Sequence, residues 1–321
     1  MPSTLLFHRG AKTVEAPSVA DLTAPVADGS VLWIGLGPGE TEGLVPLARR
    51  LGLPDEAVHD LLSPGRRMRL WRHGPDTALT GHLLVPREDG TSFARLSLLL
   101  FGDVLLTLWD DDHADPRPFL TDAADSPLLS RYGAAALLHT LLENTAAGYH
   151  EMALDIDERI DDVEELLFER DRPRSTLVQQ RSYELRKRLT LLRRAMLPIQ
   201  RALVGLSSSS APAAVRDMER HYREVTLQLD ATSDLMEALR EMLASLLSAD
   251  LNLQQKQLNV TMKKLTGWAA VIAVPTAVTS WYGMNVALPG QFALWGAYLA
   301  NAVLVVSALL VYVSFRRRDW L

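Results

Sequence analysis

The chain has no cysteine among its 321 residues. That excludes disulfides, thiolate nucleophiles and cysteine-ligated zinc sites together. Its eight histidines are scattered, with no His-x-x-x-His pair, so a zincin-type helix is absent as well. The net charge of -6 comes without a basic stripe, which argues against a nucleic-acid partner. The first ten residues, MPSTLLFHRG, contain no apolar run of signal-peptide length, so the soluble part is expected in the cytoplasm. No catalytic constellation stands out, and the expectation is a protein that is not an enzyme. The absence with most consequence is one of charge. From Leu265 to Phe315, 51 consecutive positions carry none.

A helical span of a bilayer core takes about 20 apolar residues. The uncharged stretch therefore predicts two spans and a connection, with 265–282 as the first, 283–291 as the loop and 292–315 as the second. Lys263 and Lys264 flank the first span, and Arg316, Arg317 and Arg318 flank the second. Positive flanks face the cytoplasm, so the loop faces outward and both termini inward.

Residues 1–125 read as a cytoplasmic α/β domain. Val31–Leu36, Ala78–Val85, Phe93–Leu100 and Val104–Trp109 are strand-like runs, the last two joined by Phe101-Gly102-Asp103 as a hairpin. Glu40–Leu51 and Pro54–Leu62 are predicted helices. Gly35-Leu36-Gly37-Pro38-Gly39 invites a phosphate-loop reading. It lacks the Lys-Ser/Thr that would follow and contains a proline, so a strand-to-helix turn is expected. Asp110, Asp111, Asp112, His113 and Asp115 form an acidic knot, read as a solvated loop because consecutive residues rarely converge on one ion.

The segment 126–210 predicts a helical hairpin. Between Glu151 and Asp171 lie ten acids; between Arg172 and Arg201 lie nine bases; Pro173 marks the turn. Antiparallel arms of complementary charge are expected. From Pro212 a helix runs toward the membrane without Gly or Pro until Gly267, giving a stalk over 211–264. Val215, Met218, Tyr222, Val225, Leu229, Thr232, Met236, Leu239, Leu243 and Leu246 recur at steps of three and four, a heptad seam along which the stalk packs. The next seam position is Asp250, a carboxylate that reaches water, sets register or binds something.

Leu258, Met262, Leu265, Ala269, Ala273, Thr276 and Ser280 share one face of the first span and its approach. Such a narrow face of small and apolar residues suits close helix packing or a constriction that gates by dewetting. Two spans cannot enclose an aqueous path alone, so any pore lies between subunits.

The turn Tyr282-Gly283-Met284-Asn285 after the first of two C-terminal spans resembles the CorA family of magnesium channels. Asn259, Met262, Lys263, Leu265, Thr266, Pro275, Thr276 and the closing Trp320-Leu321 extend the resemblance. It implies a funnel-shaped homopentamer in the plasma membrane that conducts Mg2+ and also Co2+. Gly283, Met284 and Asn285 would form the selectivity filter, and the face above, with Asn259, would line the pore. It further implies gating by cytoplasmic Mg2+ bound between subunits, with Asp60 and Glu224 at the matching carboxylate positions and Asp250 as a further candidate. Mg2+ is then both substrate and regulator, and no cofactor is implied. The loop 282–291 has no acid, unlike many relatives, and Arg66-Arg67-Met68-Arg69 stands where Arg-Pro-Lys is usual. The zinc-transporting ZntB branch is similar too, through Leu185–Leu189, Arg193–Met196 and Leu288-Pro289-Gly290, whereas Met284 favours the magnesium branch. A membrane-anchored sensor that conducts nothing is the remaining alternative.

Overall fold

The computed structural model describes residues 3–8, 11–16, 30–41, 44–53, 55–62, 70–73, 76–87, 90–111, 126–168, 175–207, 213–284, 293–318 and 320. These divide into two compact units, Met1–Ala244 and Ser245–Leu321.

The first unit is built on seven strands: β1 (Ser3–His8), β2 (Ala11–Ala16), β3 (Ser30–Leu36), β4 (Leu70–His73), β5 (Asp76–Arg87), β6 (Gly90–Phe101) and β7 (Val104–Trp109). They lie in the order β2-β1-β3-β7-β6-β5-β4. Among the described residues only β3 and β7 pair in parallel, at the centre, and every residue of both is buried. Strands covered on both faces read as continuous apolar runs, which is why VLWIGL and VLLTLW are recognisable in the sequence. The β6–β7 hairpin turns at Gly102, whose φ is 52°.

Alternation along β3 assigns the two faces. Leu32, Ile34 and Leu36 pack with Leu44 and Ala48 of α1 (Leu44–Leu51) and Ala57, Val58 and Leu61 of α2 (Asp55–Leu62). On strand β3 between them, Trp33 donates from Nε1 to Thr107 Oγ1 at 2.9 Å, both fully buried. The sheet also contacts the long α4.

Beyond the sheet come α3 (Pro127–Tyr132), α4 (Ala134–Phe168), α5 (Ser175–Leu206), α6 (Ala213–Asp217), α7 (Glu219–Tyr282) and α8 (Leu294–Arg317). Ser126 caps α3 by accepting from the Leu128 N–H, and Pro127 occupies the first turn, where its missing donor is not needed.

Two expectations change here. The stalk is broken at Met218: its carbonyl accepts from both His221 and Tyr222, a tightened turn that separates α6 from α7. The hairpin forms, and among the described residues ion pairing between its arms is slight. Arg188 reaches Asp155 at 3.9 Å across them, while the shorter Arg159–Asp155 pair at 2.8 Å lies within α4. Buried Ile156, Ile160 and Val163 of α4 and Val178, Leu185 and Leu189 of α5 occupy the helix interiors instead.

The seam is buried throughout, from Val215 to Leu246. Within the first unit its partners belong to the same chain. Tyr222 donates its hydroxyl to the Ala135 carbonyl of α4 at 2.9 Å, His150 of α4 meets Thr232 at 3.2 Å, and Gln200 of α5 donates to Asp230 at 3.1 Å. The stalk seam therefore closes onto its own hairpin and by itself says nothing about a neighbouring subunit.

In the second unit, α8 is long and apolar enough to cross a membrane, and among the described residues it is the one helix that is. The apolar end of α7 is less so, because Gly267, Pro275, Thr276, Thr279, Ser280 and Trp281 dilute its aliphatic residues.

Candidate metal-ion pathway

The C-terminal part of α7 has little cover in the chain on any side, from Leu251 to Trp281. Leu258, Asn259, Met262, Leu265, Ala269, Ala273, Thr276 and Ser280 are all exposed. Leu258, Met262 and Leu265 are between 57% and 65% exposed, which large apolar groups avoid unless lipid or another chain covers them. All eight positions but Asn259 share one face, because steps of three and four keep a helical stripe aligned.

Helix α7 continues through Pro275. The Thr276 hydroxyl donates to the Ile272 carbonyl at 3.0 Å, and the Thr279 hydroxyl donates to Pro275 and Thr276 carbonyls at 3.1 and 3.0 Å. A hydroxyl whose proton is committed to its own helix keeps only acceptor capacity for anything outside. A cation and its waters, which donate, are the matching ligands.

Gly283 closes the helix, its N–H donating to the Thr279 carbonyl at 2.9 Å. A Cβ at this position would stand 3.2 Å from that oxygen, so the turn is already tight for a glycine. Met284 follows, 51% exposed, with its N–H 3.4 Å from the Trp281 carbonyl. Asn285 lies outside the described residues, as does the loop to 292.

Of the implied regulatory carboxylates, Asp60 belongs to α2, but its side chain is outside the described set. Glu224 sits exposed on α7 and pairs with Arg220 at 3.5 Å. Asp250 is 3% exposed and accepts from Gln254 at 2.8 Å, so it does not reach water. Among the described residues no three His, Asp or Glu side chains gather as a ready metal site within the chain.

Two other candidates have protein partners at their described residues. In the glycine loop, the Gly37 N–H donates to Glu40 Oε2 at 2.8 Å, so a carboxylate already occupies the place a phosphate would take. In the acidic knot, Asp110 accepts from the Arg95 N–H at 2.7 Å and approaches the Arg95 guanidinium at 3.5 Å, tying β7 to β6. Asp112, His113 and Asp115 lie outside the described residues.

Spacing gave no hint of one further cluster. His139 of α4 and His221 of α7 stand edge to face, ring centres 5.7 Å apart. Burial, the largest influence, lowers the pKa of His139 from its ordinary range, partly opposed by Glu143. Separated by 82 positions, the two carry no motif that sequence reading could find.

A family model described as CorA-like Mg2+ transporter protein matches residues 28–317. The chain belongs to the CorA family. That places it among divalent-cation transporters of membranes. The cobalt/magnesium transport protein CorA of Methanocaldococcus jannaschii is 25% identical over 305 residues, covering 92% of each chain. The protein of the same name from Thermotoga maritima is 29% identical over 186 residues, 58% of this chain and 52% of that one. In fold, this CorA-family chain is similar to the complete CorA magnesium transporter structure from M. jannaschii, with a TM-score of 0.79 at 21% identity, covering 100% and 99% of the two chains. The cytoplasmic domain of ZntB from Vibrio parahaemolyticus is similar over 79% of this chain and 98% of its own, with a TM-score of 0.62 at 14% identity.

Proposed function

We propose that this CorA-family protein is a channel for Mg2+, and also Co2+, across the plasma membrane, assembled as a homopentamer. The observation that carries this reading is the exposed, largely apolar end of α7, whose stripe from Leu258 to Ser280 is followed in sequence by Gly283-Met284-Asn285. The C-terminal part of α7 and α8 are the two spans, with both termini cytoplasmic. Five copies of the stripe around an axis would make a narrow, largely apolar path, with the Thr276 and Ser280 oxygens toward its outer end.

Mg2+ holds its waters tightly, so the outer ring must grip a hydrated ion rather than strip it. Asn285 supplies a neutral carbonyl, and Gly283 lets the backbone approach. The loop has no acid, so selection rests on neutral oxygens. Asp60 and Glu224 of adjacent subunits hold a regulatory Mg2+ that favours the closed arrangement, Asp250 being a further candidate ligand. Two facing carboxylates repel when the ion leaves. A ligand moves such an equilibrium only by binding one state more tightly.

The test is ion uptake by the full-length protein in liposomes loaded with a Mg2+- or Zn2+-sensitive dye. Mg2+ entry that Asn285→Ala abolishes, while the variant assembles normally, supports the reading. Zn2+ entry without Mg2+ entry identifies a ZntB-like zinc transporter of the same fold. No flux of either ion identifies a membrane-anchored sensor.

A further inference from the structure

We propose that His139 and His221 form a proton-responsive latch that holds α4 against the first turns of α7. The inference stands on the first unit alone and does not depend on which ion the protein carries.

His139 is 5% exposed, and the Nδ1 atoms of both histidines are buried without a hydrogen-bond partner. Buried nitrogens of this kind are rare, because an unmet polar atom forfeits its hydration. The rings are enclosed by aromatic edges: Tyr222 stands 5.6 Å from His139 and Tyr132 5.9 Å from His221. This packing suits a neutral imidazole at His139.

The charged and titratable neighbours are few. Glu143, on α4, places Oε2 3.7 Å from His139 Nδ1, with its own side chain 58% exposed. His221, Tyr222 and Glu224 come from α7. From α3, Arg131 lies 5.0 Å over the Tyr132 ring. The Tyr222 hydroxyl stays protonated, since burial raises its pKa, and donates to Ala135.

A proton arriving at Nδ1 makes a buried imidazolium. Glu143 is the carboxylate within reach of it, while a second proton on the neighbouring ring would meet a like charge 5.7 Å away. Burial holds the His139 pKa below the ordinary 6.5; a charge on His221 lowers it further, and Glu143, a hydrogen bond with the His221 backbone and Glu224 oppose the shift. The sign follows. The packed state prefers the neutral ring, so the contact is at full strength above the ordinary histidine value. It weakens as pH falls through that value toward the lower folded one. The helix so released is continuous from Glu219 to Tyr282, so the latch anchors the first turns of the helix that carries the uncovered stripe.

The test uses the full-length protein in detergent. Histidine C2 hydrogen exchange, read by mass spectrometry, gives each titration midpoint. Amide exchange, corrected for intrinsic rate, reads the opening of α7 at about pH 5.5 and about pH 7.5. His139 should titrate below a free histidine, and Glu143→Gln should move it lower still. The first turns of α7 should exchange faster at the lower pH, and the double variant His139→Phe with His221→Phe should lose that difference. An ordinary or raised His139 midpoint overturns the proposal, as does a pH difference that survives in the double variant. If the double variant does not fold, Glu143→Gln replaces it: its side chain is more than half exposed, its lower His139 midpoint should move the onset of faster α7 exchange to lower pH, and an onset that does not move refutes the latch.

Discussion

Gly133 joins α3 to α4 with φ 60° and ψ −140°. This region is closed to residues with a side chain, and a Cβ there would also meet Asp103 Oδ1 at 2.5 Å. Gly133→Ala should therefore destabilise the first unit by about 1–3 kcal/mol. Thermal unfolding measures it, and an unchanged midpoint would mean that the joint relaxes freely. Such residues are hard to read in sequence, because nothing around Tyr132-Gly133 distinguishes this glycine from one in an ordinary loop. Trp33 was legible only as an apolar strand residue; its hydrogen bond to Thr107 joins strands 74 positions apart. The histidine pair was invisible for the same reason. By contrast, Gly283 announced itself, since a tight turn between an apolar run and an uncharged loop has few alternatives.

At the scale of elements, periodicity reported burial faithfully and partners poorly. Steps of three and four marked every buried seam residue from Val215 to Leu246. They did not say that α4 and α5 of the same chain supply the cover, because a heptad pattern is satisfied by any apolar helix pair. The central strands were legible as apolar runs, whereas β1, β2 and β4 were not, being short and mixed in polarity. Charge misled in the hairpin. Exposed ion pairs contribute about 0–1 kcal/mol, so apolar stripes decide how such arms pack. It follows that dissociating the oligomer in detergent should leave amide protection between Tyr222 and Leu243 intact. Loss of that protection in the monomer would show that neighbouring subunits, not the hairpin, stabilise the seam.

For the whole molecule, the two units differ in what they leave uncovered. In the second, Leu258, Leu265, Ile272, Leu294, Tyr298 and Leu310 are each more than 60% exposed. Apolar area on this scale calls for lipid and for other copies of the chain. Light scattering of the detergent-solubilised protein should therefore find an oligomer. Asp60→Ala combined with Glu224→Ala should preserve its size while removing Mg2+ protection against proteolysis and Mg2+ inhibition of uptake. If protection and inhibition survive, the regulatory ion binds elsewhere. The α/β character of the N-terminal part was legible from apolar runs. The proposed regulatory site rests on family resemblance alone, since its ligands would come from different chains and no spacing within one chain encodes that.

The closure of the stalk seam onto its own hairpin has a consequence for biogenesis. Everything that buries the seam up to Ala244 precedes the uncharged stretch in the order of synthesis. Chains fold from the N-terminus as they emerge from the ribosome. The first unit can thus reach its packed state while the chain beyond Ala244 is still being translated. Under the proposed two-span arrangement, subunits would meet as finished bodies already tethered to the bilayer, and their encounter would be a search in two dimensions rather than three.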